Sequence, residues 1–217
     1  KKDIVEIIEK FLQESVQAKG LSVPGIADKT LNHTTIIDIN HTDEYEEMQL
    51  TRTADHTRAY IKIQDGCNQF CTYCIIPYAR GRVRSRRMED ILSEIRGLVA
   101  NGYKEVVVTG IHVSSYGLDF LKKESGDYLE ECKDVREAVY KKEFLLQLLE
   151  KINAVEGLER IRLGSLEPRI ITERFAERLS KMEKICPQFH LSLQSGSDSV
   201  LKRMNRRYTC SEYYEKV

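Results

Sequence analysis

Apolar residues recur along the chain with a period of roughly 3.6 in some segments and two in others, and the switches between them mark the elements. Ile4, Ile7, Ile8, Phe11 and Leu12 share one face of a helix predicted over 3–12. From 14 to 57 no period persists and Thr, Asp, Glu and His dominate, so the stretch reads as a connector or loose cover in which His33, His41 and His56 are solvated. A strand is predicted at 59–64, then a helix over 87–101 carrying Ile91, Leu92, Ile95, Leu98 and Val99 and stopped by Gly102. A buried-strand run follows at 105–109, then a helix at 142–154, a strand at 160–163, a helix at 172–181 and a fourth strand at 189–193. Strands alternating with helices predict an α/β fold with a parallel sheet. The domain expectation is 1–57 for a leading segment plus linker and 58–217 for the main domain.

Charged residues make up 31% and apolar ones 41% of the chain, and no unbroken apolar run approaches the roughly 18 residues of a membrane span. The chain therefore reads as a globular, cytoplasmic protein without a membrane partner. Lys plus Arg and Asp plus Glu each total 34, and zero net charge argues against coating nucleic acid through bulk charge. RNA contact has to be local. Arg80, Arg82, Arg84, Arg86 and Arg87 put five cations in eight residues. They read either as a solvated charge run or, with Tyr78 beside them, as forks for phosphate and platforms for bases. The dense charge of 118–141 reads as a solvated flap or a partner surface. The chain opens on Lys1, and 211–217 reads as a helix without a stop signal, so a piece of a longer protein is expected.

The chemistry concentrates in Cys67, Cys71 and Cys74, spaced C-x3-C-x2-C directly behind the first strand. Three thiolates on one loop suit a soft metal. A closed zinc site or a fully ligated four-iron cluster takes four protein ligands, so three cysteines with no fourth nearby point to a metal corner left for something else. A structural zinc site completed by a remote residue such as His112 has the same local spacing. Disulfides are disfavoured for an intracellular chain, and Cys132, Cys186 and Cys210 read as ordinary thiols.

From Gly66 to Arg86 the string G-C-N-Q-F-C-T-Y-C-I-I-P-Y-A-R-G-R-V-R-S-R resembles the radical S-adenosylmethionine enzymes, and within them the methylthiotransferase branch. Its P-Y-A-R-G-x-x-R-S-R portion is most similar to enzymes that methylthiolate N6-threonylcarbamoyladenosine beside the tRNA anticodon. The resemblance implies a (β/α)6-type barrel, here truncated after about four βα units, with an open sheet edge through which two copies can pair. It implies a [4Fe-4S] cluster on Cys67, Cys71 and Cys74 whose fourth iron binds S-adenosylmethionine, reduced by a donor such as flavodoxin or ferredoxin. A second, auxiliary [4Fe-4S] cluster belongs to the intact protein only, so the piece alone is expected to be inactive. The substrate implied is the tRNA anticodon stem-loop. Alternatives are isopentenyladenosine in tRNA, a ribosomal-protein aspartate, or a non-catalytic zinc-stabilised RNA-binding module.

Barrel sites lie where strands end, and the resemblance assigns cofactor contacts there. Tyr73 is placed near the adenine, Thr109 and Gly110 at the amino group, Ser165 and Glu167 at the ribose or methionine, Gln194 and Ser195 at a fourth-strand polar position, and Arg206 at the carboxylate. No residue is assigned as an acid, base or nucleophile. The same residues also fit plainer roles: a packed aromatic for Tyr73, a tight turn at Gly110, and a cap for the helix carrying Val200 and Leu201 at Ser195, Ser197 and Asp198.

Overall fold

Ala59, Ile61 and Ile63 alternate with Tyr60 and Lys62, a period that gives a strand one apolar face. In the structure, a computed structural model describing residues 4–6, 8–10, 39, 42, 45, 46, 57–124 and 143–217, this run forms β1, Ala59–Asp65, with those three residues buried. A two-residue strand β2, Arg84–Ser85, pairs antiparallel with its end, while β3, Glu105–Gly110, and β4, Arg160–Leu163, run parallel in the order β2-β1-β3-β4. The alignment of Ala59 with Val106 and of Val106 with Ile161 stacks the buried positions of all three parallel strands on one face.

That face is covered by helices whose boundaries follow from their sequences. The short α1, Ile76–Ala79, follows the cysteine loop, with Pro77 at its start. In α2, Met88–Ala100, Glu89 and Asp90 sit in the first turn, where carboxylates complement the helix dipole. It buries Ile91, Leu92, Ile95 and Leu98, and Gly102, at φ +93°, ends it by donating its N–H to the Val99 carbonyl at 2.9 Å. After α3, Leu118–Glu124, comes α4, Phe144–Asn153, which buries Leu145, Leu146, Leu148, Leu149 and Ile152 against the same sheet face. In α5, Glu173–Ser180, the Thr172 hydroxyl accepts the Phe175 N–H at 3.1 Å and caps the helix. The chain ends through α6, Asp198–Arg203, and α7, Cys210–Tyr214.

The opposite sheet face carries Tyr60, Lys62, Thr109 and Arg162, with Glu105 accepting from Arg160 at 2.8 Å and Arg162 at 2.7 Å. The run at 105–109 is thus buried through Val106 and Val108 while Val107 is half-exposed. The described residues thus form a mixed α/β unit, a mostly parallel sheet clothed by helices on one face and polar on the other.

Two strand expectations change. Residues 189–193 do not form a fourth strand; only Leu166 and Leu191 make an isolated parallel bridge, matched by another between Ile161 and Ile185. Alternation stabilises a strand when one face is buried, and Phe189 and Leu193 stay exposed. Segment 184–192 nonetheless lies along the outer edge of β4 and the residues after it at these bridges. Conversely, Arg84–Ser85 pairs in the sheet although its sequence reads as a charge run.

The chain divides into two compact units, 1–38 and 39–217. In the first, residues 4–6 and 8–10 are helical, within the predicted 3–12 helix. Ile7, Phe11, Leu12, the three connector histidines, Cys132 and the rest of 125–141 in the charged stretch lie outside the described residues. Among the described residues no helix is long and apolar enough to cross a membrane.

Candidate functional site

The loop after β1 is shaped by hydrogen bonds that leave little freedom around the cysteines. Gly66 opens it at φ +70°, and a Cβ there would stand 1.8 Å from the Arg82 carbonyl oxygen, so only glycine lets the two backbones cross. The Cys67 N–H donates to the Gly81 carbonyl at 3.0 Å, and the Cys74 N–H to that of Cys71, also at 3.0 Å. Cys67 and Cys71 are buried and Cys74 half-buried, all with free thiols. Burial pushes the Cys67 thiol up from its ordinary value; Cys71, Cys74 and Glu167 add to the rise, and the Gln69 N–H, 3.4 Å from its sulfur, opposes it. Among the described residues, no three His, Cys, Asp or Glu side chains are gathered to hold a single metal ion.

Three strand ends meet beside this loop. Glu167, after β4 and 3% exposed, accepts from Gln69 Nε2 at 3.2 Å, and His112 Nε2, after β3, lies 3.5 Å from the same carboxylate. The other ring nitrogen of His112 is 2.7 Å from Ser115 Oγ. His112 is therefore engaged with Glu167, Gln69 and Ser115, and sequence reasoning, which considered it only as a remote zinc ligand, missed this arrangement. Gln64, fully buried, links the same loops: its Nε2 donates to the carbonyls of Asp65 at 2.6 Å and Gly66 at 2.7 Å, and its Oε1 accepts the His112 N–H at 2.7 Å. Gln64 and Gln69 carried only a faint signal, a polar residue closing an apolar strand and one placed inside the cysteine motif.

The remaining expected residues spread around this centre. Gly110 packs against Gln64, and a Cβ there would come within 3.1 Å of its backbone and side-chain oxygens; the Thr109 hydroxyl donates to the Ile61 carbonyl at 3.2 Å. Tyr73 is 52% exposed and donates to Gln194 Oε1 at 3.2 Å, so the packed-aromatic reading does not hold. Ser165 Oγ lies 2.7 Å from His190 Nδ1, away from the buried centre, and Ser195 Oγ accepts the Ser197 N–H at 3.2 Å. Arg206 donates to Cys71 Sγ at 3.3 Å and to Tyr208 Oη at 3.2 Å. Burial alone would lower the guanidinium's pKa; hydrogen bonds to Tyr208 and Cys71 overcome that and hold it above its usual value.

The arginine run divides sharply. Arg80 forks onto Asp65, with Nε to Oδ1 at 3.1 Å and NH2 to Oδ2 at 2.7 Å. Arg84 is buried and donates to the carbonyls of Arg82 at 3.1 Å and Arg80 at 3.0 Å. Arg86 is 2% exposed and ion-paired with Glu94. All three are tied to the loop's own backbone or carboxylates, and Arg84 and Arg86 are buried while Arg80 keeps 36% of its side chain exposed, which corrects the picture of five outward-facing cations. Arg82 stacks on the Phe70 ring at 4.4 Å, and Arg87 is exposed at the start of α2. Tyr78, 62% exposed, meets the Phe70 ring edge-on.

The sequence profile of the radical SAM superfamily matches residues 61–217. The chain belongs to that superfamily. This radical SAM chain is 40% identical over 197 residues to the tRNA-2-methylthio-N(6)-dimethylallyladenosine synthase of Finegoldia magna, a match spanning 90% of the chain and 39% of that protein. It is 42% identical over 173 residues to the threonylcarbamoyladenosine tRNA methylthiotransferase MtaB of Bacillus subtilis, spanning 80% of the chain and 34% of that protein. The chain thus spans less than two fifths of the length of these curated relatives. A solved radical S-adenosylmethionine methyltransferase, TsrM from Kitasatospora setae, aligns at a TM-score of 0.48 and 18% identity over 73% of this chain and 27% of that one.

Proposed function

We propose that this chain is the radical SAM core of a tRNA methylthiotransferase that adds a methylthio group to C2 of N6-threonylcarbamoyladenosine beside the anticodon. The observation that carries the reading is the meeting of the cysteine loop with the ends of β3 and β4 through Gln69, His112 and Glu167, in a chain similar over most of its length to tRNA methylthiotransferases.

The donor set fits a [4Fe-4S] cluster. Three soft sulfurs project from one loop that carries no carboxylate or imidazole between them, and two of the sulfurs already accept N–H groups, from Gln69 and Arg206. A cluster on Cys67, Cys71 and Cys74, with S-adenosylmethionine at its remaining iron, would supply one-electron chemistry for abstracting hydrogen from an unreactive carbon. The protein's part is placement. Glu167, held by Gln69 beside His112, is a buried acceptor for an ammonium or hydroxyl. Tyr73 and Gln194 form an exposed hydrogen-bonded pair over the loop that offers an aromatic face to a purine. Arg82 and Arg87 are the cations left for RNA phosphate once Arg80, Arg84 and Arg86 are committed internally. A cytoplasmic setting and a small electron-donor protein belong to the same reading, as does an auxiliary cluster carried by the intact protein. Two copies pairing through the sheet edge would have to engage the 184–192 segment.

The test is nucleoside mass spectrometry of tRNA from cells with and without the full-length gene. Appearance of 2-methylthio-N6-threonylcarbamoyladenosine with the gene is expected, and its absence sinks the reading. A second reading, methylthiolation of dimethylallyladenosine, is favoured by the similarity to the Finegoldia magna synthase; that nucleoside alone would select it.

A further inference from the structure

Hydrogen bonds reach the cysteine loop from a part of the chain more than 130 residues away and touch each residue from Gln69 to Thr72. The carbonyls of Arg203 and Met204, at the end of α6, accept from Thr72 Oγ1 at 3.0 Å and from the Thr72 N–H at 3.2 Å. Asn205 Nδ2 donates to the carbonyl of Phe70 at 2.9 Å and to that of Gln69 at 3.4 Å. Arg206 NH1 completes the set at Cys71 Sγ, 3.3 Å away. Both Asn205, at φ +57°, and Phe70, at φ +51°, are in the left-handed region. Asparagine tolerates this conformation and phenylalanine does so at a cost, so the loop's least favourable backbone is the one whose carbonyl the Asn205 amide holds. Arg206 is itself aimed, since Tyr208 Oη accepts from its Nε and lies 2.6 Å and 2.9 Å from the carbonyls of Ser192 and Leu193.

We propose that residues 203–206 form a clasp in which Asn205 fixes the cluster-bearing loop and Arg206 sets the electron affinity of the cluster through Cys71. This rests on reading Cys67, Cys71 and Cys74 as cluster ligands, and it gives Arg206 work independent of any cofactor carboxylate. Donors to ligating sulfur and a nearby fixed cation favour the more negative, reduced cluster and so raise its potential.

The experiment is a redox titration of the anaerobically reconstituted full-length protein without S-adenosylmethionine, followed by electron paramagnetic resonance. The relevant signal is the one removed by the combined Cys67→Ala, Cys71→Ala and Cys74→Ala substitutions. In Arg206→Gln the ratio of reduced to oxidised cluster at a fixed potential should fall about tenfold, ~59 mV for one electron; Arg206→Lys, which keeps the charge, should fall by less. Asn205→Gly keeps the left-handed backbone but loses the amide, and should surrender iron to a chelator about tenfold faster with the wild-type potential. Wild-type titration of both Arg206 variants, or wild-type iron loss in Asn205→Gly, overturns the clasp. If instead the cysteine substitutions remove no iron signal, the cluster reading falls first and the clasp with it.

Discussion

Replacing Arg86 by alanine separates a structural arginine from an RNA-binding one. Arg86 and Glu94 side chains are 2% and 4% exposed and ion-paired, and the Arg86 N–H also donates to the Ile63 carbonyl at 2.9 Å, placing the pair where the cysteine loop returns to the sheet. Taking one charge out of a buried pair costs about 3–5 kcal/mol, because the other keeps the penalty of leaving water and loses the Coulomb attraction that offset it. Arg86→Ala also deletes an aliphatic stem packed in the interior, so the upper half of that range is expected. Glu94→Gln should fall in the lower half, since its amide still accepts from Arg86. Arg86→Met combined with Glu94→Leu removes both desolvation penalties and should lose no more than ~1–2 kcal/mol, whereas Arg86→Met and Glu94→Leu alone each strand one buried charge at ~3–5 kcal/mol, a coupling of at least ~4 kcal/mol. Urea unfolding followed by circular dichroism reads these differences as midpoint shifts at constant slope. On the proposed tRNA reading, the same double variant should keep the wild-type salt dependence of binding, whereas a lost phosphate contact would flatten the log–log slope by about 0.7–0.9. Single substitutions costing under ~1 kcal/mol, or costs that simply add, would refute the buried-pair argument.

Gly66→Ala should destabilise by ~2–5 kcal/mol, from the left-handed backbone together with the collision of its Cβ with the Arg82 carbonyl; thermal unfolding checks it. Asp65 is lowered from 3.8 to about 2: burial pushes its carboxyl up, but donors from Arg80, Lys62 and the Gly66 N–H more than offset that. A depressed folded-state pKa contributes stability that is complete above the unfolded value and lost as pH falls from 3.8 towards about 2; at ~1.4 kcal/mol per pH unit this is about 2 kcal/mol. Asp65→Asn should abolish that part of the acid dependence, measured as urea midpoint between pH 5 and 2.5. On the proposed tRNA reading, substituting Arg82 and Arg87 by glutamine together should weaken binding of the full-length protein to tRNA and flatten its salt dependence by up to ~2 in slope, at a stability cost of no more than the ~0.5–1 kcal/mol of the Arg82–Phe70 stacking; an unchanged slope rules out phosphate contact by both.

The parallel strands and their helices were legible because each buries one face, and burial writes a period into the sequence: Ile61 and Ile63, Val106 and Val108, and Ile161 and Leu163 all fall where alternation places them. Residues 189–193 alternate as well, but period two records the possibility of a face and not the presence of anything to bury it. Arg84 and Ser85 were illegible for the opposite reason, since a side chain that is buried by hydrogen bonds to backbone carbonyls looks in sequence like one that is solvated. The site shows the same division. Cysteine spacing announces itself because the proposed ligation needs a rare residue at fixed intervals, whereas Gln64, Gln69 and Asn205 act through amides that bond to backbone or to one another's neighbours and leave no spacing rule. Glu167 was singled out by resemblance as a cofactor contact after a strand, but its company with His112 depends on the parallel pairing of β3 and β4.

The separation of 135 residues between Phe70 and Asn205 also has a consequence on the ribosome. At synthesis rates of about 5–20 residues per second, the thiols emerge roughly 7–27 seconds before the segment that fastens their loop. During that interval Cys67, Cys71 and Cys74 sit on a nascent chain whose loop geometry is not yet imposed. With the three cysteines as the proposed cluster ligands and 203–206 as the proposed clasp, loading of the cluster is ordered in time, with durable assembly following synthesis of Arg206 and exposure of nascent sulfur to oxidants greatest before it.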